Sequence, residues 1–160
     1  MKVLIDGPDG VGKTSICEKL ANKLGCNIIR LTHGGDRSLS AYCESVSIDN
    51  MVHDRTFLSE IIYPKYFGRE SRVNDVLIHA VSTLISTLEA KVFILTADDD
   101  VLIERLSKRG DEFLDDINVI KDIKKDYLRI AQEYGYTVID TSNKTIDEIV
   151  EEMCNEHICK

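Results

Sequence analysis

A glycine-rich stretch near the start of the chain carries the residues whose types and spacing best suit chemistry. Residues 7–14 read G-P-D-G-V-G-K-T and fit the pattern G-x-x-x-x-G-K-[ST] at every fixed position. An apolar run precedes them and a helical pattern follows, which is the context that the pattern requires. The glycines let backbone N–H groups point inward, and the following helix adds the positive end of its dipole. The sequence therefore predicts a loop that binds a triphosphate.

The side chains of this loop have separate expected roles in binding ATP and Mg²⁺. Lys13 is expected to bridge the β- and γ-phosphates, and Thr14 to place its hydroxyl on Mg²⁺. The alternative is a glycine-rich turn between a strand and a helix that binds nothing, which the complete motif and its two flanks disfavour. The expected nucleotide-binding residues are Gly7, Asp9, Gly10, Val11, Gly12, Lys13, Thr14 and Ser15.

The length and composition of the chain narrow its class. Its 160 residues suffice for one sizeable core, so we expect a single domain over residues 1–160. The net charge of −8 argues against general nucleic-acid binding, because such proteins present a basic face to phosphates. No apolar run reaches membrane-spanning length, and the five cysteines include no C-x-x-C pair, which is typical of reduced thiols. These features predict a soluble, cytoplasmic protein with no membrane partner.

Strand-type and helix-type patterns alternate along the chain and must position the loop. This alternation predicts an α/β fold in three layers, with a five-stranded parallel sheet flanked by helices. Pro64 is expected to end the third helix. The expected strands are residues 3–5, 27–31, 50–53, 91–96 and 137–140. The expected helices are residues 13–24, 38–47, 57–63, 73–88 and 117–134, with further helices beginning near residues 98 and 145.

Three segments together resemble the thymidylate kinase and deoxynucleoside kinase superfamily of P-loop phosphotransferases. Residues 6–14 are similar to that family's phosphate loop, residues 54–63 to its D-R-x-x-x-S-x-x-x-Y segment, and residues 102–110 to the lid that closes over the phosphates. The resemblance covers most of the chain. It implies a P-loop NTPase fold with a short lid at about residues 105–116. The aromatic and basic segment at residues 63–69 looks like that of compact kinases of viral (phage) origin.

Charged residues outside the loop complete the expected site. Arg55 follows a strand at the crevice where open α/β sheets bind ligands, and is expected to clamp an acceptor phosphate. Asp54, at the end of that strand, is expected to hold Mg²⁺ through water. Arg105 and Arg109 are expected to come from the mobile lid and to exclude water when it closes. The alternatives are a surface ion pair for Arg55 and a dipole-stabilising helix end for the lid residues.

The acceptor is expected to be a nucleoside monophosphate. A nucleoside 5′-hydroxyl must lose a proton, and the resemblance places the carboxylate base for that step at the end of the second strand, where this chain reads L-T-H. A monophosphate is already ionised and needs only cations. The resemblance assigns Asp9 to the substrate sugar, whereas Tyr66 either reads a base or packs under the lid. The other expected substrate-binding residues are Arg37, Arg55, Tyr63 and Arg69.

These inferences predict ATP-dependent phosphorylation of a deoxynucleoside monophosphate, dTMP-like, to the diphosphate. One alternative is a deoxynucleoside kinase acting on a 5′-hydroxyl. Others are a kinase acting on a polynucleotide or modified base, which the acidic charge balance disfavours, and a nucleotide-binding regulator without turnover. A regulator would be expected to lack Lys13, Asp54 or Arg55, which are all present. The expected partner is a small-molecule nucleotide, and the resemblance also suggests a homodimer.

Overall fold

A parallel sheet of five strands forms the centre of the structure. The computed structural model describes residues 1–31, 38–71, 75–109 and 117–158. Every strand pairing is parallel, in the order β2-β3-β1-β4-β5, so the predicted sheet is confirmed. The strands are β1 (Lys2–Asp6), β2 (Asn27–Arg30), β3 (Met51–Asp54), β4 (Lys91–Thr96) and β5 (Thr137–Asp140).

Helices cover both faces of the sheet. Alternate residues of a strand face opposite sides, and β1 therefore contributes to two apolar layers. Val3 and Ile5 pack in a cluster with α1 and α7, whereas Leu4 packs in a cluster with α2, α3, α4 and α6, which completes the three layers. The helices are α1 (Lys13–Leu24), α2 (Leu39–Ser47), α3 (Phe57–Tyr66), α4 (Asp75–Thr87), α5 (Asp99–Arg109), α6 (Ile117–Tyr134) and α7 (Ile146–Glu152), and a π-helical segment, Met153–Ile158, follows α7.

The strand order determines where a ligand can bind. β2 and β3 lie on one side of β1, and β4 and β5 lie on the other. In such sheets a crevice opens at the carboxyl ends of the strands, where the connections diverge to the two sides. Asp6 and Asp54 are the last residues of β1 and β3, so both lie at this crevice.

Helix α3 differs from the sequence-based prediction. Pro64 was expected to end it, but the helix continues to Tyr66 with Pro64 inside. Proline has no N–H to donate to the carbonyl four residues earlier, here that of Glu60. The Ser71 hydroxyl donates to this carbonyl instead, at 2.8 Å. The helix therefore survives the proline because a side chain from the following segment replaces the lost hydrogen bond.

The expected start of α4 at residue 73 lies outside the described residues. None of the helices in the described ranges combines the length and the apolar character needed to cross a membrane.

His53 is a buried polar residue within the sheet. It lies in β3, in register with Leu4 of β1 and Ile29 of β2, and is 1% exposed. Its Nε2 atom has no hydrogen-bond partner among the described residues. Burial lowers the pKa of His53 to about 4, because the imidazolium would lose its hydration. The side chain is therefore neutral at pH 7.

Acidification is expected to destabilise the protein through His53. Between pH 6.5 and pH 4 the unfolded chain binds the His53 proton and the folded chain does not, so the free energy of unfolding falls as the pH falls. The expected loss is about 1.4 kcal/mol per pH unit, or about 3 kcal/mol over this window. Urea unfolding of the wild type and of His53→Leu at pH 7, 6 and 5, without divalent cations, measures this loss in the free energy of unfolding.

His53→Leu should lose this part of the pH dependence. Equal slopes for wild type and His53→Leu would show that His53 does not titrate as assigned.

Candidate active site

The loop between β1 and α1 approaches the neighbouring strand so closely that it needs glycine. Gly7 directly follows β1 and has a φ of +147°. A Cβ atom on Gly7 would lie 2.3 Å from the carbonyl oxygen of Leu95 in β4, which no side chain tolerates. Gly12 precedes α1 with a φ of +87°, a left-handed conformation that glycine adopts without strain. The loop therefore rests directly on the sheet.

A buried carboxylate anchors this loop from below. Asp6 is fully buried and accepts hydrogen bonds from the Gly7 N–H at 2.9 Å and from the Tyr127 hydroxyl at 2.8 Å. It also accepts from the backbone N–H and the hydroxyl of both Thr56 and Ser59, at 2.8–3.2 Å. Asp6 thus joins the phosphate loop to the start of α3 and to α6.

Lys13 lies inside the curve of the loop. It is 7% exposed, and its Nζ donates to the carbonyl oxygens of Gly7 and Pro8, both at 2.7 Å, with an Asp9 carboxylate oxygen at 3.9 Å. Burial and the nearby charge of Arg55 lower the pKa of Lys13 to about 8, against the opposing charges of nearby aspartates. The ammonium group is thus held at the loop, as the bridging role requires.

Thr14 and Asp54, the two residues that the sequence predicts as ligands of Mg²⁺, contact each other. The Thr14 hydroxyl donates to Asp54 Oδ2 at 2.8 Å, and Asp54 is 6% exposed. A hydroxyl and a carboxylate are hard oxygen ligands, which fits Mg²⁺ that retains waters and also binds substrate phosphates. Across the described residues no group of three or more His, Cys, Asp or Glu side chains could hold a metal ion.

Arg55, Asp9 and Tyr63 form one cluster beside the loop. The Arg55 guanidinium contacts Asp9 Oδ1 at 2.5 Å, and the Tyr63 hydroxyl donates to Asp9 Oδ2 at 2.9 Å. Arg55 Cζ also lies 5.2 Å from the centre of the Tyr63 ring, and this ring stacks on Phe67 at 5.9 Å. Arg55 does form an ion pair, but one inside the crevice. Three of the residues expected to meet an acceptor, Asp9, Arg55 and Tyr63, are therefore assembled together.

The charges of this cluster balance one another. Burial opposes ionisation of Asp9, yet the positive charges of Lys13 and Arg55 outweigh it and hold the pKa of Asp9 below its usual value. Burial raises the pKa of Tyr63, so its hydroxyl remains a donor at neutral pH. The backbone of Arg55 has a φ of +74°, a strained conformation for a residue with a side chain, and its N–H donates to the Ile5 carbonyl at 3.0 Å.

The structure corrects the expected position of Arg105. Its guanidinium donates to the Thr141 hydroxyl at 3.0 Å, the Thr141 carbonyl at 2.8 Å and the Gly10 carbonyl at 3.4 Å. Arg105 therefore ties the phosphate loop to the turn after β5, whereas the sequence placed it on a mobile lid. Arg109 is exposed in the last turn of α5. The remainder of the expected lid, residues 110–116, lies outside the described residues.

Two of the expected substrate-binding residues contact other parts of the protein. The Tyr66 hydroxyl donates to Asp126 of α6 at 3.1 Å, and Arg69 contacts the buried Glu60 at 3.1 Å. Neither joins the cluster of Asp9, Arg55 and Tyr63. Arg37 lies outside the described residues.

Sequence reasoning did not assign roles to three residues of the site. Asp6 could have been noticed, because it is a charged residue directly after the apolar run of residues 3–5 in β1. Arg30, at the end of β2, has its Nε atom 3.7 Å from Asp54 Oδ2. Thr141, which binds Arg105, has no signal in the sequence because the contact joins residues 36 positions apart.

Replacing the Asp6 carboxylate is expected to destabilise the whole protein. Asp6→Asn places an amide N–H₂ against groups that already donate, so we expect a loss of about 3 kcal/mol or more in the free energy of unfolding. Tyr127→Phe removes one donor and should cost about 1–2 kcal/mol. The exposed Asp49, which pairs with Lys2, provides the control, and Asp49→Asn should change little. Urea unfolding measures all three, and equal midpoints for Asp6→Asn and Asp49→Asn would contradict the role of Asp6.

Comparison with known proteins identifies relatives over nearly the whole chain. "SPbeta prophage-derived uncharacterized protein YorR" of Bacillus subtilis is 28% identical over 159 residues, covering 94% of this chain and 95% of YorR. A "Putative adenylate kinase" of Pyrococcus furiosus is 30% identical over 160 residues, covering 97% of this chain and 83% of the Pyrococcus protein. A "Probable thymidylate kinase" of Methanococcus maripaludis is 23% identical over 194 residues, covering 99% of this chain and 95% of the Methanococcus protein. The chain also matches pachytene checkpoint protein 2 homologues, of which it spans 30% of the length.

A solved structure shares the fold. The crystal structure of YorR from Bacillus subtilis in complex with phosphorylated GDP superimposes with a TM-score of 0.84 at 24% identity, covering 97% of this chain and 94% of YorR. The predicted P-loop fold is therefore confirmed. A family model described as an AAA domain matches residues 3–123. Because this match covers most of the chain, the protein belongs to the AAA domain family and has the fold of P-loop kinases.

Proposed function

We propose that this protein transfers the γ-phosphoryl group of ATP to a nucleoside monophosphate, with a deoxynucleotide such as dTMP as the acceptor and the diphosphate as the product. One observation carries the proposal. The Lys13 ammonium and the Thr14–Asp54 pair lie in the same crevice as the Arg55 guanidinium, and Asp9 links the lysine to the arginine. The donor and acceptor groups of a phosphoryl transfer reaction thus have adjacent places.

The loop supplies the donor side of the reaction. Phosphoryl transfer requires mainly that two anions be positioned and that the charge on the transferring oxygens be neutralised. The loop N–H groups and Lys13 would bind the β- and γ-phosphates. When bound beside Thr14 and Asp54, Mg²⁺ would neutralise charge on the same phosphates. Arg105 holds the loop to the turn after β5 and so fixes the position of the donor.

The cluster beside the loop supplies the acceptor side. Arg55 is the cation beside the loop, and an acceptor phosphate would take the place of Asp9 as its partner. Asp9 and Tyr63 would then be available to the substrate sugar and base. β2 ends in Arg30 and the chain continues L-T-H, so the residues at the end of this strand supply no carboxylate of their own to deprotonate a 5′-hydroxyl. This favours a monophosphate over a nucleoside as acceptor.

The relatives support the class of reaction and differ in the base that their names specify. One is named as an adenylate kinase and another as a thymidylate kinase, while the YorR crystal contains phosphorylated GDP. These names favour a nucleotide kinase. They do not agree on the nucleotide base of the acceptor, which the experiment below must identify.

ADP formation with a panel of acceptors tests the proposal. ATP and Mg²⁺ are supplied with the four deoxynucleosides, their monophosphates and the ribonucleotides, and Lys13→Ala serves as the blank. We expect turnover with monophosphates, highest with dTMP, and a loss of at least about a hundredfold in Lys13→Ala. Turnover with nucleosides alone would contradict the monophosphate acceptor. ATP binding without turnover on any of these acceptors would contradict the nucleotide kinase and leave a kinase that acts on a polynucleotide, or a regulator.

Substitutions of Arg55 and Arg105 are expected to raise the KM for different substrates. Arg55→Gln should raise the KM for the acceptor at least about tenfold and leave the KM for ATP nearly unchanged, because one charge-assisted contact is worth about 1.5 kcal/mol or more. Arg105→Gln should raise the KM for ATP instead, since it releases the loop from the turn after β5. Steady-state kinetics with each substrate varied in turn measures both. If both variants shift the same KM, the two assigned positions are wrong.

A further inference from the structure

A groove lies at the amino-terminal ends of β4 and β5, whereas the phosphate loop lies at the carboxyl ends of the strands. It occupies about 540 Å³ between the second half of α4, the end of α6 and the first residues of β4 and β5. Lys91 is the first residue of β4 and lines the groove, whereas Leu95 of the same strand packs against Gly7 of the phosphate loop. The two residues are four positions apart, which is about 13 Å at a rise of 3.3 Å per residue. A volume of several hundred cubic ångströms accommodates a small organic ligand. The groove is therefore a second cavity, separate from the crevice.

Hydroxyl groups form one wall of the groove. Thr83 and Thr87 donate to the carbonyl oxygens of His79 and Thr83, at 2.8 and 2.9 Å, which leaves the lone pairs of both hydroxyls available. Ser86 lines the groove with an exposed hydroxyl, and Thr137 lines it at the start of β5. Such a wall offers both donors and acceptors to a ligand that carries several hydroxyls.

Aromatic side chains also line the groove and hold one another in place. The rings of Tyr134 and Tyr136 stack with their centres 5.9 Å apart, and the His79 ring meets Tyr134 edge-on at 5.8 Å. The Tyr136 hydroxyl lies 2.8 Å from that of Ser82, and the Tyr134 hydroxyl 3.2 Å from His79 Nδ1. These contacts order the rings before any ligand arrives, so binding would cost little side-chain entropy.

Lys91 gives the groove its charge. Among the lysines and arginines of the described residues, it alone has a side chain with neither a hydrogen bond nor an ion pair. The described lining residues include no Asp or Glu. Lys91 is exposed, so its ammonium group is accessible to an anion that enters the groove, in a chain whose net charge is −8.

We propose that this groove binds a phosphorylated sugar ring, either as a free sugar phosphate or as part of a nucleotide. Lys91 would meet the phosphate, the hydroxyl wall would bind the sugar hydroxyls, and the ordered tyrosines would provide a flat apolar surface for a ring. The proposal does not depend on catalysis, because none of these residues belongs to the crevice.

NMR titration of the ¹⁵N-labelled full chain tests the proposal. Lys13→Ala is used as the background so that the phosphate loop competes less for ligand. The probes are ribose 5-phosphate, dTMP, ribose and inorganic phosphate. We expect saturable shifts of the amide signals of Thr83, Ser86, Lys91 and Thr137 with ribose 5-phosphate or dTMP. Binding of both means that the sugar phosphate is sufficient, whereas binding of dTMP alone means that the base is read as well.

Matched variants distinguish a site from a chance contact. Lys91→Ala should weaken binding at least tenfold, whereas Lys125→Ala, at an exposed lysine of α6 paired with Asp122, should leave it unchanged. The dispersion of the amide signals reports whether each variant is folded. The proposal is overturned if no groove signal shifts at millimolar ligand, if Lys91→Ala binds as well as its parent, or if inorganic phosphate binds as tightly as the sugar phosphates.

Discussion

The crevice depends on one buried carboxylate, that of Asp6. A charged group without water is stable only if hydrogen bonds replace its hydration, and Asp6 obtains these from the phosphate loop, the start of α3 and Tyr127 of α6. The same bonds fix the relative positions of the three elements. Helix α3 contains Tyr63 and begins two residues after Arg55. Asp6 therefore fixes the proposed acceptor side of the crevice relative to the proposed donor side, although Asp6 itself would touch neither substrate.

Electrostatic balance explains how an acidic protein keeps two cations close together in this crevice. Lys13 and Arg55 repel each other, and the charge of Arg55 is one reason for the lowered pKa of Lys13. Asp9 lies between them and compensates both. In the proposed reaction, a substrate phosphate would replace part of this internal compensation, whereas a neutral ligand would leave both cations bound to Asp9. The proposed function therefore implies that the crevice prefers anionic ligands.

Much of the fold could be predicted because apolar periodicity and local signals determine it. The bounds of β4, β5, α1 and α6 agree with the sequence-based prediction, and a capping box at Thr145 begins α7, the helix expected near residue 145. The continuation of α3 through Pro64 could not be predicted, because it depends on the Ser71 hydroxyl from beyond the helix. The same holds for Arg105, whose partner Thr141 is distant in sequence. The phosphate-loop residues could be predicted because one short motif contains them all. The homodimer and the cytoplasmic location stay predictions.

The left-handed backbone of Arg55 has a consequence for how the chain can change over time. A conformation of this kind costs a residue with a side chain about 1–3 kcal/mol, and glycine adopts it freely. Arg55→Gly would relieve this strain, but it would also leave the Asp9 carboxylate without its guanidinium partner, a loss of the same size or larger. The ion pair with Asp9 therefore holds the strained backbone of Arg55 in place, and a search for a more heat-resistant form of this protein should leave Arg55 unchanged.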